Sequence, residues 1–285
     1  MGSLAADFAI KYLQLSNGYK VAYVDEGAGD ATILFIHGLG NYAMVWKRQL
    51  EHLKKYYRCI SIDLPGNGYS DRADFPFSMH FFAGCVYDLV QKLNLKNVCL
   101  AGHSMGGQVA ITLLLNQPDA AEKLILCAPA GFETFSAFEK GLYTSTIQLA
   151  DMFSSEENSL KQSIRSSFYK FPAYADEMIN ELVEIMKRYP MRNHRQMIDA
   201  CINAMLNEPV FNRLHEVKQP TLVLFGERDA LIPNRLIHPV STRHIAEKGA
   251  EQMPNATLQM LSQCGHFLQM EKADYVNSYI RDFLD

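Results

Sequence analysis

Residues 98–115 show a strand-turn-helix pattern that leaves few possible folds for this chain. Residues 98–101 are an apolar run of strand length, and residues 108–115 are an apolar segment compatible with a helix. Between them stands Gly102-His-Ser-Met-Gly106, a serine with a glycine two residues away on each side. Because glycine lacks a side chain, this spacing permits a sharp strand-to-helix turn that exposes the serine hydroxyl. The motif predicts Ser104 as a nucleophile, with an ordinary glycine-serine turn as the alternative.

Short apolar runs alternate with helical stretches on both sides of this motif. The first two runs are joined by Asn17-Gly18, which is typical of a hairpin. Eight strands are predicted in all, at residues 11–15, 20–25, 31–36, 57–62, 98–101, 123–128, 221–225 and 257–261. Strands that alternate with helices at this pace predict an α/β fold with a mostly parallel, eight-stranded sheet flanked by helices.

The alternation stops between residues 132 and 214, where no strand pattern is present. Helices are predicted there near residues 135–151, 156–169, 174–189 and 193–207. This segment is too long for a loop and too regular for disorder. We therefore expect residues 1–131 and 215–285 to form the core of the protein, and residues 132–214 to form an inserted helical cap, or lid.

The composition of the 285-residue chain excludes several functional classes. With 48% hydrophobic and 20% charged residues, the chain can form a sizeable core. Its net charge of −4 and the lack of a basic run argue against nucleic acids and anionic membranes as partners. No apolar run approaches the roughly 18 residues of a membrane span, and the first residues lack a signal-peptide pattern. These features predict a cytoplasmic protein without membrane insertion or a nucleic-acid partner.

The cysteines of the chain mostly lie in apolar runs and form no C-x-x-C motif. There are six, namely Cys59, Cys85, Cys99, Cys127, Cys201 and Cys264. We expect buried thiols in a reducing compartment, neither disulfides nor a zinc site. No metal ion and no cofactor are expected, and the oligomeric state is left open.

Two other predicted strand ends carry the residues that would activate a serine. Asp229 follows the seventh predicted strand, and His266 follows the eighth. In a parallel sheet these loops meet the loop of Ser104 at one edge, where ligands bind. A serine hydroxyl needs a base to remove its proton, and the base needs a third group to fix its tautomer. Ser104, His266 and Asp229 are thus the candidate triad, with Glu227 as a rival acid.

The chain resembles the α/β-hydrolase family over nearly its full length. The matching motifs are His37-Gly-Leu-Gly40, Asp63-Leu-Pro-Gly-Asn-Gly-Tyr-Ser70, Gly102-His-Ser-Met-Gly106, Gly226-Glu-Arg-Asp229 and Gly265-His266. The resemblance implies Ser104 as nucleophile, Asp229 as acid and His266 as base. It also implies an oxyanion hole made by the backbone N–H groups of Leu39 and Met105. Five further residues are candidates for lining the pocket, namely His37, Gly38, His103, Phe132 and Phe267, and a structural role is the alternative for His37 and His103.

A serine nucleophile implies acyl transfer, with an acyl-enzyme that water then hydrolyses. Family members that act on haloalkanes or epoxides carry an aspartate at this position, so these reactions are not expected. The expected activity is that of a carboxylesterase on a small-molecule ester with small-to-medium apolar groups, bound between the edge loops and the cap.

Three alternatives stay open. The chain also resembles carbon–carbon bond hydrolases that act on vinylogous diketone acids, and Arg188, Arg192 or Arg195 could bind such an acid or simply face solvent. Three sites depart from that pattern, namely Leu39-Gly-Asn41, His103 and Phe267. A perhydrolase side activity is the second alternative. A ligand receptor or binding scaffold on a hydrolase fold is the third.

Overall fold

Eight strands form one sheet in the computed structural model, which describes residues 7–153, 157–189 and 191–285. They are β1 (Lys11–Gln14), β2 (Lys20–Glu26), β3 (Thr32–Ile36), β4 (Arg58–Ile62), β5 (Val98–His103), β6 (Lys123–Cys127), β7 (Thr221–Gly226) and β8 (Ala256–Leu261). Their order is β1-β2-β4-β3-β5-β6-β7-β8. Strand β2 is antiparallel to β1 and β4, and all other neighbouring pairs are parallel. The predicted mostly parallel α/β sheet is confirmed.

Ten α-helices accompany these strands within the described ranges. They are α1 (Lys47–Leu53), α2 (Met79–Lys92), α3 (Met105–Asn116), α4 (Ala137–Phe153), α5 (Glu157–Ser166), α6 (Ala175–Met186), α7 (Met191–Asn207), α8 (Thr242–Ala250), α9 (Leu268–Glu271) and α10 (Ala273–Leu284). Serine caps fix two of the helix starts, since Ser78 accepts from the N–H of Phe81 and Ser241 accepts from that of His244. Among the described residues, no helix combines the length and the apolar character that a membrane crossing demands.

Strand β5 and helix α3 occupy the centre of the molecule. All six residues of β5 are buried, as expected for a parallel strand that is covered on both faces. Residues 105–114 of α3 are buried too, because this helix is apolar on nearly every side and contacts β3, β5, β6 and α2. Burial of each large aliphatic side chain stabilises the fold by about 1.5–3 kcal/mol. The turn between β5 and α3 is therefore anchored at both ends in the core.

The helical segment 132–214 contains α4 to α7 and, in its described part, no strand. The four helices lie close to their predicted positions, although residue 156, the predicted start of the second helix, lies outside the described residues. The apolar face of α6 is buried and consists of Met178, Ile179, Leu182, Val183, Ile185 and Met186. The hydroxyl of Tyr69 donates to the carboxylate of Glu181 at 2.6 Å, which links α6 to the loop after β4. The assignment of this segment as a separate cap stays a prediction.

Candidate active site

Ser104 occupies the sharp turn between β5 and α3. Its φ of +53° and ψ of −119° are rare for a residue with a side chain. A Cβ atom at Gly102 would collide with the carbonyl group of Gly106, and a Cβ atom at Gly106 would collide with backbone oxygens at the end of β3. The two glycines therefore allow β5, α3 and β3 to approach closely enough to hold Ser104 in this conformation.

Asp229 lies in the loop after β7 and is bound on both of its carboxylate oxygens. Oδ2 accepts a hydrogen bond from Nδ1 of His266 at 2.8 Å. Oδ1 accepts from the backbone N–H groups of Leu231 and Ile232 at 2.8 and 2.9 Å. Because Nδ1 of His266 donates its proton to Asp229, Nε2 of the neutral ring is the nitrogen without a proton. This is the tautomer that a general base requires.

Three contacts position His266 at the end of the loop after β8. Its backbone N–H donates to the carbonyl of Ser167 at 2.9 Å. Its own carbonyl accepts from Nε2 of His103 at 3.0 Å, and the two imidazole rings lie 4.8 Å apart. Burial lowers the pKa of His103 well below its usual value, so His103 is a neutral donor. His103 thus supports the candidate base without competing for its proton.

The turn after β3 lies directly against Ser104. A Cβ atom at Gly38 would stand 3.1 Å from Cβ of Ser104, so only glycine fits there without displacement. Leu39 follows in this turn and lines the cavity described below. Met105 is the first residue of α3, a position where the backbone N–H has no helical partner. Leu39 and Met105, the residues predicted to supply the two N–H groups of an oxyanion hole, therefore follow the neighbouring strands β3 and β5.

Of the five candidates for the pocket wall, three line the cavity described below, namely Gly38, His103 and Phe267. The other two, His37 and Phe132, lie in the core instead. Nδ1 of His37 donates to the carbonyl of Gly38 at 2.7 Å, and its Nε2 accepts from the N–H of Leu64 at 3.0 Å. These bonds turn the ring away from the cavity, and burial lowers the pKa of His37 to about 4. Phe132 packs against Phe225 with ring centroids 6.0 Å apart.

A cavity of about 950 Å³ opens above Ser104 and His266. Its walls come from the strand-end loops and from the helical segment 132–214. The apolar wall residues include Ile164, Ile198, Ile202, Met205, Leu206, Phe211 and Ile232. The motifs give no sign of these residues, because which faces of α5 and α7 point toward the sheet is decided by tertiary packing.

The charged residues of the cavity wall are mostly cationic. They are Glu133, Lys140, Arg195 and Lys248. The carboxylate of Glu133 binds Nδ1 of His238 at 2.6 Å and the backbone N–H of Asn234, which fixes the loop after β7 to the start of the helical segment. Of the arginines considered from the sequence, Arg195 reaches the cavity, Arg188 lies over the ring of Tyr69, and the side chain of Arg192 is outside the described residues.

Nowhere in the described ranges do three or more His, Cys, Asp or Glu side chains cluster as metal ligands would.

Comparisons with known proteins agree with this fold. Residues 31–273 match the family model of the alpha/beta hydrolase fold, so the chain belongs to this family. It is 27% identical over 280 residues to the dihydrolipoyllysine-residue acetyltransferase component of the acetoin cleaving system of Cupriavidus necator, covering 94% of this chain and 67% of that protein.

A second relative is the 2-hydroxy-6-oxo-6-phenylhexa-2,4-dienoate hydrolase of Comamonas testosteroni. It is 28% identical over 272 residues, which cover 93% of this chain and 91% of that enzyme. Among solved structures, an esterase from Exiguobacterium antarcticum superimposes with a TM-score of 0.81 at 22% identity, with 99% of each chain covered. The resemblance stated from the motifs is confirmed, and the protein is an α/β-hydrolase.

Proposed function

We propose that this protein is a serine hydrolase that cleaves carboxylic esters through an acyl-enzyme. One observation carries the proposal: His266, which is hydrogen-bonded to Asp229, shares a cavity with Ser104, and Ser104 stands on a positive-φ turn. Asp229 fixes the tautomer of His266, and His266 is then able to accept a proton at Nε2. The turn presents the hydroxyl of Ser104 to the same cavity.

The reaction would proceed in two halves. Nε2 of His266 takes the proton of Ser104 while Oγ attacks the ester carbonyl carbon, and the resulting oxyanion binds the N–H groups of Leu39 and Met105. Each such donor contributes about 3–4 kcal/mol to transition-state stabilisation. The ester bond breaks, and the leaving alkoxide takes the proton from His266. Water then attacks the acyl-enzyme with His266 again as base, which releases the carboxylic acid and restores Ser104.

The helical segment 132–214 is proposed to act as the cap over this site. Residues of α5 and α7 line the cavity wall opposite the strand-end loops. Phe168, just after α5, stacks on Phe267 beside the candidate base, with ring centroids 4.7 Å apart. Since the cap contributes Ile164, Ile198, Ile202, Met205, Leu206 and Phe211 to the wall, the substrate favoured is an ester with small-to-medium apolar groups.

The cellular location that we propose is the cytoplasm. All six cysteines are free and buried. Thiols that stay unpaired are typical of a reducing compartment.

Labelling with a fluorophosphonate is the primary test of the proposed function. The reagent should add one adduct to the wild-type protein, located at Ser104 by mass spectrometry, because it reacts with activated serines. Ser104→Ala should remove both the adduct and at least about 10⁴-fold of the activity on p-nitrophenyl esters. Ser278→Ala, a change at an exposed position of α10, should alter neither. A wild-type protein that stays unlabelled would contradict the proposal.

A second candidate function is hydrolysis of a carbon–carbon bond in a vinylogous diketone acid. The name of the Comamonas testosteroni relative describes such a substrate for that enzyme, and the cations Lys140, Arg195 and Lys248 in the cavity wall could bind an acid. A panel of p-nitrophenyl esters run beside a diketone acid separates the two functions by kcat/KM. Peracid formation is measured in the same panel with hydrogen peroxide. Labelling of Ser104 without turnover of any substrate would favour a ligand receptor on this fold.

A further inference from the structure

His194 on α7 lies against the turn that carries Leu39. Its Cε1 and Nε2 atoms lie 3.9 and 4.0 Å from the position that a Cβ atom would take at Gly40. Cδ1 of Ile198, one helical turn further along α7, is 2.9 Å from the same position. His194 also lines the cavity that contains Ser104. The imidazole therefore brings α7 into contact with the turn proposed to bind the oxyanion.

The two ring nitrogens of His194 have different surroundings. Nδ1 is buried and has no hydrogen-bond partner among the described residues. Nε2, with Cε1, forms the edge of the ring that faces Gly40, and the ring as a whole lines the cavity. Burial, aided by the nearby charge of Arg72, lowers the pKa of His194 to about 4, so the ring is neutral and carries one proton at pH 7.

The position of that proton follows from the cost of burying it. A buried N–H group without an acceptor is rarer in proteins than a buried acceptor without a donor. Placing the proton on Nδ1 would create such an orphaned donor, whereas placing it on Nε2 leaves only an unfilled acceptor. The favoured tautomer thus presents an Nε2–H donor to the cavity, beside the oxyanion turn.

We propose that His194 is a substrate-binding residue whose Nε2–H donates a hydrogen bond to an oxygen of the bound ester. This inference rests on the proposed serine hydrolase function and adds a side-chain donor from α7 to the two backbone donors. It makes the helical segment part of substrate recognition rather than only an apolar cover. It also implies selection for substrates with an oxygen on the side of the reacting carbonyl that faces α7.

Three variants test the role of His194. His194→Phe keeps an aromatic ring against Gly40 but removes the donor, and His194→Gln places an amide N–H near the position of Nε2. On the p-nitrophenyl ester with the highest kcat/KM, His194→Phe should lose about tenfold in kcat/KM, and His194→Gln should stay within about threefold of wild type. Gln196→Leu, at an exposed position of the same helix, should match wild type.

Each outcome of this experiment has a defined meaning. A loss in kcat with His194→Phe supports a bond to the oxyanion, and a rise in KM supports a bond to another substrate oxygen. Equal losses in His194→Phe and His194→Gln would assign His194 a packing role and overturn the inference, as would wild-type kinetics in His194→Phe. Complete fluorophosphonate labelling of both variants shows that Ser104 is still activated. Absence of labelling in the wild type would instead refute the serine hydrolase function itself, and the inference with it.

Discussion

The carboxylate of Asp229 and the imidazole of His266 are joined by a 2.8 Å hydrogen bond between Oδ2 and Nδ1. Both residues are buried, and the other oxygen of Asp229 accepts two backbone N–H groups of its own loop. Glu227, two residues earlier, binds Arg243 at 2.7 Å on the protein surface. The sequence leaves both carboxylates as candidates for the acid, and in the structure only Asp229 contacts His266.

Asp229→Asn should therefore lower kcat on p-nitrophenyl esters by about 10⁴-fold, the effect of the same change in a serine protease triad. The amide can still bond to the ring, but it favours the tautomer in which Nε2 carries the proton and cannot act as base. Glu227→Gln removes a carboxylate of the same loop and should retain wild-type kcat. Similar losses in the two variants would contradict the role assigned to Asp229.

Gly106→Ala should destabilise the protein and abolish activity. Its Cβ atom would collide with the backbone oxygens of Ile36 and His37, which no side-chain rotation can relieve. We expect a loss of about 1–3 kcal/mol or more in the free energy of unfolding. Gly84→Ala in α2 is the matched control, because a Cβ atom there meets nothing within 4 Å. That control should gain about 0.5–1 kcal/mol. Urea unfolding followed by circular dichroism measures both changes.

The cysteines should be unreactive in the native protein. All six are free and buried, and burial raises the pKa of Cys59, Cys85 and Cys201 to about 12. Only a thiolate reacts quickly with Ellman's reagent. Titration at pH 8 should detect no thiol in the folded protein and six in guanidinium chloride. Rapid reaction of any one thiol before unfolding would show that the packing around it opens.

The strand ends of the sheet were predictable from local sequence, and the cavity wall was not. Ser104, Asp229 and His266 each follow a short apolar run, and a parallel sheet necessarily brings such loops to one edge. His194 carries no comparable signal, because its place in the wall depends on how α7 packs across the cavity. The sequence leaves the role of His37 open between structural and pocket-lining for a related reason. Its position next to Gly38 says nothing about the bond to Leu64 that turns the ring into the core.

Gln108 is a further contact that only tertiary structure reveals. Its side-chain amide, on α3 four residues after Ser104, donates to the carbonyls of Met205 and Glu208 at 3.0 and 2.9 Å. These bonds connect the end of α7 to α3, the helix that follows Ser104. Gln108→Met leaves both carbonyls without this donor and should lower the free energy of unfolding by about 1–3 kcal/mol. Gln91→Met, at an exposed position of α2, should change it by less than about 0.5 kcal/mol. Equal urea midpoints for Gln108→Met and the wild type would show that these two hydrogen bonds do not stabilise the protein.

Asp63, in the loop after β4, is a buried carboxyl that should make stability depend on pH. Its oxygens accept the backbone N–H groups of Ala43 and Tyr69 at 2.6 and 2.8 Å. Burial outweighs these bonds and raises the pKa of Asp63 to about 6, from an ordinary value of 3.8. The native protein thus retains a proton over a pH range in which the unfolded chain has released it.

The sign of the effect follows from this difference in bound protons. Between about pH 4 and pH 6 the unfolded state binds fewer protons at Asp63, so the free energy of unfolding decreases as the pH rises through that window. The slope approaches about 1.4 kcal/mol per pH unit, and the total is about 3 kcal/mol. Asp63→Asn cannot titrate at this position. The free energy of unfolding of the wild type minus that of the variant, measured in urea, should therefore fall steadily from pH 4 to pH 6. Asp74→Asn, the same change at an exposed site, is the control. A difference that stays constant across the window would show that Asp63 is ionised in the native protein throughout.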